Sequence, residues 1–191
     1  MLDRIIVDAD FCLKLGGSNK YLYLFEVLPL IAKDIYMHNH AYGEVIYPAS
    51  AKKQLDDLIA SGKVKLVDQS TLNPADRAVY DMTYTKLAKV MIDPRRPNKN
   101  KGETCSLAFA KATGIPIFAT NESSLQPIID TELNTGIDDI KCLRIENVVE
   151  MIRDKEIQLP RKYAKALWRI SYNQEDVQNA NEIFDKRIWP L

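Results

Sequence analysis

Carboxylates recur in this chain at places where they can act together. Asp8 and Asp10 close the run "RIIVDAD", Glu44 follows Gly43 in "YGEV", Glu103 follows Gly102 in "KGET", and Glu122 follows Asn121 in "ATNE". Each acid alone has an ordinary explanation. Asp8 or Asp10 would serve as a helix N-cap, and Glu103 would be favoured by a helix dipole. Glu44 would be a solvated helix residue, and Glu122 a helix-start acid behind a capping Thr120 or Asn121. Taken jointly they suggest a pocket, because the acids recur at strand ends and helix starts that face one edge of a sheet. Clustered carboxylates repel unless a positive charge lies among them. Hard cations such as Mg²⁺ or Mn²⁺ prefer oxygen ligands. Two such ions activate a water, position a phosphodiester and stabilise the leaving oxygen. The implied chemistry is metal-dependent phosphoryl transfer or hydrolysis.

The elements that must hold these residues alternate. Residues 4–8 read as a short strand buried on both faces, since its apolar residues do not alternate. "LGGSNK" is a turn, residues 20–33 a helix despite Pro29, which could break it, and "DIYMHN" a short extended piece. From Tyr42 to Ala60 the pattern is helical, with a kink or restart at Pro48, so that Glu44 begins a helix. "VKLV" is a strand, "LNPADRAVYDMTYTKLAKVMI" a helix with an Asn-Pro start, and "DPRRPNKNKG" a polar basic loop. "GETCSLAFAKATG" is an Ala-rich helix ending at Gly114. "IPIFAT" and "IKCLRI" are two more strands, with a short helix between them and a helix behind Asn147 as N-cap after them. This order predicts an α/β three-layer sandwich, a mainly parallel sheet with helices on both faces. Pro160 divides residues 1–155 from a helical C-terminal extension, 156–191, with amphipathic helices over "RKYAKALWRI" and "QEDVQNANEIFDKRI".

Composition narrows the field. Of 191 residues, 46% are hydrophobic and 27% charged, enough for a packed core. Lys plus Arg (26) balances Asp plus Glu (26), which argues against binding a polyanion by bulk charge and leaves room for local patches. Cys12, Cys105 and Cys142 form no CxxC pair, so neither a zinc ribbon nor a disulfide framework is indicated. "MLDRIIVDAD" lacks a signal-peptide run and "YLYLFEVLPLIA" is too interrupted to span a bilayer. A cytoplasmic protein without a membrane segment is expected.

The order of acids and elements resembles the PIN-domain (PilT N-terminal) nucleases. In that family a first strand ends in an aspartate, as "IIVDAD" does, and a second acid sits on an early helix, as in "YGEVIYP". A third acid opens an Ala-rich helix before a strand that ends Thr-Asn-acid, as in "KGETCSLAFAKATGIPIFATNE". The resemblance covers residues 3 to about 145. It implies an endoribonuclease in which Mg²⁺ or Mn²⁺ activates water and leaves a 5′-phosphate. Asp8 is then the central ligand, Glu44 and Glu103 complete the first metal site, and Glu122 serves a second. Asp10 matches an acid found in part of the family. The fourth acid here is Glu where Asp is usual.

Arg95, Arg96, Lys99 and Lys101 lie just before Glu103, where cations would help phosphates approach acids; Thr120 and Asn121 would contact substrate beside Glu122. A solvated loop is an equally ordinary account of the basic run. His38 and His40 read as strand-end or loop residues near the site rather than as a base or a metal pair. Arg161, Lys162, Lys165 and Arg169, with Tyr163 and Trp168, read as the packing side of an appended helix rather than a base-stacking face. RNA is the expected partner. A toxin-like role would add an antitoxin that inserts a basic residue into the pocket, and a homodimer is compatible. Two alternatives stand beside the nuclease: a non-catalytic PIN-like RNA- or protein-binding module, and a haloacid-dehalogenase-type phosphatase using "VDAD" as its Asp-x-Asp nucleophile.

Overall fold

Five short apolar runs pair into one all-parallel sheet, and every connection between them is long enough to carry a helix. The structure, a computed structural model, describes residues 1–172 and 177–190. The strands are β1 (Leu2–Val7), β2 (Ala32–His38), β3 (Val64–Val67), β4 (Ile117–Ala119) and β5 (Lys141–Leu143), in the order β3-β2-β1-β4-β5. β1 is central, with Val7 opposite Met37 of β2 and Ala119 of β4. Its Ile5, Ile6 and Val7 are fully buried, as expected of a strand covered on both faces.

Helices cover both faces, giving the three-layer α/β arrangement. On one face lie α1 (Ala9–Gly16), α2 (Tyr23–Ile31), α4 (Ala49–Ala60), α8 (Ile145–Arg153) and α9 (Arg161–Ser171). On the other lie α5 (Pro74–Met91), α6 (Lys101–Thr113) and α7 (Leu125–Glu132). Ile5 and Val7 point into the first layer and Ile6 into the second, so one strand feeds two cores. A short helix, α3 (Asn39–Glu44), caps the carboxyl end of β2. Gly16 lets α1 approach α4 closely: a Cβ there would fall 2.5 Å from Ala51 Cα.

Several boundaries differ from expectation. β2 begins at Ala32, taking the end of the helix expected over 20–33, because pairing along all of β1 outweighs local helical propensity. Asn147 is the third residue of α8 rather than its N-cap; its side chain accepts the Arg144 N–H at 3.0 Å. α5 starts as the Asn-Pro pair implies, with Asn73 Oδ1 accepting from the Ala75 and Asp76 N–H groups. α9 packs its apolar side into the first core, Ala164 and Leu167 being fully buried. At the surface Arg161 and Lys165 pair with Asp185, and the Tyr163 hydroxyl donates to Glu26 at 3.0 Å. The helix expected over residues 174–188 is described from α10 (Val177–Ile183) into a π-helical turn at Phe184–Ile188. Its first residues, 174–176, lie outside the described ones. Among the described residues no helix is long and apolar enough to cross a membrane.

Candidate functional site

Connections leave β1 and β4 in opposite directions, β1 leading through β2 to β3 and β4 leading to β5. In open α/β sheets such a switch point opens a crevice at the carboxyl ends of the strands, where ligands bind. Asp8 follows β1 at this edge, and Thr120, Asn121 and Glu122 follow β4. The Asp8 N–H donates to Ala119 O at 2.9 Å, which carries the β1–β4 ladder one residue beyond the strand.

Asp8 is 1% exposed. It occupies the N-cap position of α1 but makes no side-chain cap bond, so capping does not explain it. Thr120, itself fully buried, donates its hydroxyl to Asp8 Oδ2 at 3.5 Å and accepts the Glu122 N–H at 3.2 Å. Asp8 Oδ1 is buried with no hydrogen-bond partner. Burial, and then the charge on Glu103, push this carboxyl well above the usual carboxylate range. Glu44 and Asp10 push the same way, and the Ala9 N–H opposes them.

Glu44 ends α3 rather than beginning a helix. β2 runs through His38 and turns into α3 without a loop, so the short helix is spent by the time it reaches Glu44. The residue arrives at the acids all the same. Its Oε1 accepts the Gly102 N–H at 3.1 Å, which ties α3 to the first turn of α6. Gly102 is buried, and a Cβ there would lie 2.7 Å from Glu44 Oε1 and 2.8 Å from Oε2. Glycine is required for that approach. Glu103, next in the chain, is half-buried with Oε2 unpartnered. Burial raises the carboxyl of Glu44, helped by Glu103, and raises that of Glu103, helped by Glu122 and Asp10.

Asp10 is half-buried on the first turn of α1. Burial and the Glu122 charge raise its carboxyl, while Lys14 and the Asn121 N–H lower it. Glu122 is exposed and takes a hydrogen bond from the Ser124 hydroxyl at 2.9 Å. Asp8, Asp10, Glu44, Glu103 and Glu122 therefore form one electrostatic cluster, drawn from the residue after β1, from α1, α3 and α6, and from the loop after β4. Among the described residues no three His, Cys, Asp or Glu side chains are gathered tightly enough to hold a metal ion. The donor set is all oxygen, and two of its buried oxygens lack partners, which suits a hard divalent cation.

The basic loop divides. Lys99 lowers the carboxyl of Glu103 and so faces the cluster. Lys101, on the first turn of α6, acts on His40 and Cys105 instead. Arg96 turns to Asp93 at 3.5 Å and the Arg95 N–H bonds the same carboxylate, both residues standing exposed in the loop. Neither arginine is brought to the acids. Thr120 and Asn121 are brought there, but as supports: a buried hydroxyl spanning Asp8 and Glu122, and a backbone N–H on Asp10. His38, at the end of β2, is fully buried, and burial holds its imidazole down to about 4. Its Nδ1 accepts the His40 N–H at 3.1 Å. Gln69 lies near enough to oppose the shift, although His38 Nε2 and Gln69 Oε1 fall short of hydrogen-bond geometry.

Sequence reasoning missed Gly102 as a seat for Glu44 and Thr120 as a strut under Asp8. The glycine immediately before an acid was the available signal for the first, and a threonine between an apolar strand and an acid for the second. No family model, no curated protein and no solved structure matches this chain.

Proposed function

We propose that this protein is a metal-dependent ribonuclease of PIN-domain type, cutting RNA phosphodiester bonds at the carboxylate cluster beside Asp8. The observation that carries it is Asp8 itself, a fully enclosed carboxylate at the sheet's switch point with one oxygen unpartnered and acids around it. Buried polar groups are almost always paired, and buried charges are paired or coordinate metals. A carboxylate placed this way calls for a proton or a cation, and the neighbouring oxygens favour the cation.

Asp8, Glu44 and Glu103 would hold Mg²⁺ or Mn²⁺, with Glu122 and Asp10 available to a second ion. When bound, such an ion supplies Lewis acidity and a more acidic water. The chain's own part is to aim its oxygens. Gly102 N–H fixes Glu44, Thr120 links Asp8 to Glu122, and Asn121 N–H steadies Asp10. Lys99 at the rim offers a positive charge to an approaching phosphate. The choice of RNA rests on the resemblance of the Asp8, Glu44, Glu103 and Glu122 motifs.

A phosphatase that uses Asp8 as nucleophile is less well supported, since the charges that weigh most on Asp8 are all carboxylates. The deciding experiment incubates wild type and Asp8→Asn with a labelled RNA panel and a phosphomonoester in Mn²⁺. Cleavage of RNA by wild type alone supports the nuclease. Hydrolysis of the monoester alone supports the phosphatase, and activity in neither supports a non-catalytic binding module.

A further inference from the structure

Beside the acids, between α3, α5 and α6, lies a cleft of about 260 Å³ whose lining includes His40, Gln69, Arg77, Tyr80, Tyr84 and Lys101. A second cleft of about 310 Å³ shares His40 and Lys101 with it and reaches Gly43 and Glu44. The two are joined through one helical turn: Lys101 lines both, Gly102 binds Glu44, and Glu103 belongs to the acid cluster.

The aromatic rings here lie nearly parallel. His40 and His38 are 5.6 Å apart at 4°, His38 and Tyr80 6.2 Å at 11°, and Tyr80 and Tyr84 6.2 Å at 10°. His38 and Tyr80 are buried and fix the orientation of the series, while His40 is exposed and Tyr84 half-exposed at its ends. Arg77 is committed, with its Nε on both oxygens of Asp81 at 2.9 and 3.0 Å. Lys101 makes no ion pair among the described residues, so its ammonium remains for a ligand. Parallel ring faces with one uncommitted cation beside them are what an unpaired base and its phosphate require.

We propose that this cleft receives a single unpaired nucleobase of the substrate against His40, the exposed end of the ring series that lines both clefts together with Lys101, while Lys101 meets the phosphate leading from it toward the acids. The inference rests on the nuclease reading above and adds a subsite to it: the substrate is single-stranded next to the bond that is cut. A base held in a duplex has no free face to offer these rings.

The test measures binding to Asp8→Asn with Mg²⁺ present. The probes are a short unstructured RNA, the same RNA with one abasic position moved stepwise along it, and the RNA annealed to its complement. The abasic position should weaken binding about tenfold in one register and little elsewhere. Annealing should weaken it as much. In the Asp8→Asn background, His40→Ala should weaken the intact RNA about tenfold and leave the abasic RNA unchanged, with His40→Phe close to the parent. Lys101→Gln should weaken intact and abasic RNA alike and lower the salt slope by about one. Thermal melts show whether each variant is folded, and the abasic scan needs no change to the cleft at all. Equal binding of every abasic register, undiminished binding of the duplex, or no RNA binding overturns the proposal. An equal loss in Tyr21→Ala, on the surface before α2, does so too. A register effect in a protein whose wild type never cuts RNA would sink the nuclease reading and leave the base site standing. Cleavage without a register effect does the reverse.

Discussion

Gly102 donates its backbone N–H to Glu44 Oε1 at 3.1 Å, and a Cβ on Gly102 would stand 2.7 Å from that same oxygen. The contact holds two acids of different elements, Glu44 on α3 and Glu103 on α6, at one place. Gly102→Ala should therefore force Glu44 away without removing any carboxylate. Residues that orient ligands typically lower metal affinity or activity 10–100-fold when changed, and a loss of about that size is expected in Mn²⁺-dependent cleavage. The backbone φ at this helical position tolerates alanine, so the melting temperature should change little. A variant as active as wild type would show that the position of Glu44 is irrelevant.

Burial and neighbouring acids raise the carboxyl of Asp8 in the folded state. A raised folded value means that stability is fully present below the ordinary carboxylate range and is lost as pH rises through the folded value. Asp8→Asn cannot ionise, so it escapes that loss. In metal-free buffer the variant should match wild type near pH 4 and melt progressively higher than wild type toward pH 8. Melting curves across that range check it; a gap that narrows with rising pH has the wrong sign.

His38 works in the opposite direction. Its imidazole is held to about 4 by burial, below the ordinary histidine range, so stability is lost as pH falls from about 6.5 toward 4. His38→Gln should flatten the acid limb of the stability profile while lowering stability at neutral pH. An acid limb identical to that of wild type would show that this histidine does not titrate with unfolding.

Millimolar Mn²⁺ or Mg²⁺ should raise the melting temperature of wild type by relieving repulsion among Asp8, Glu44 and Glu103, and a chelator should reverse the rise. The rise should be much smaller in Asp8→Asn. Calcium, which also takes oxygen ligands, serves as a comparison for ion size. No shift with either Mn²⁺ or Mg²⁺ counts against a metal site.

Thr120→Val removes a buried hydroxyl that serves both Asp8 and the Glu122 N–H. Leaving those groups unpaired should cost about 1–3 kcal/mol of stability. Cleavage should fall about tenfold or more, because Asp8 loses the buried hydroxyl that bonds its Oδ2. Thr120→Ser, which keeps the hydroxyl, should recover most of both. Failure of serine to do so would make the methyl group, and not the bond, the reason threonine is there.

Much of this was legible because strand ends and acids are local features. The unalternating "RIIV" marks a two-sided strand, and the acids after it mark the edge where strands end. The position of Glu44 was harder. From the sequence it opens a helix; in the structure it closes one, because α3 starts directly at the end of β2, where the His38 side chain caps it by accepting the His40 N–H. The basic loop was read as one patch, yet Arg96 turns to Asp93 while Lys99 faces Glu103. Neighbours in sequence within a loop have no fixed periodicity to say which way each points. The near-parallel rings of His40, His38, Tyr80 and Tyr84 join α3 to α5 across a gap of forty residues, a relation no short-range pattern encodes.

The most direct measurement is cleavage of a labelled RNA panel in Mn²⁺ by wild type and by Asp8→Asn purified identically. The carboxylate cluster predicts RNA cut by wild type, with activity dependent on metal and reduced at least about a hundredfold in the variant. Equal cleavage by the two proteins would place the activity elsewhere and contradict the role assigned to Asp8.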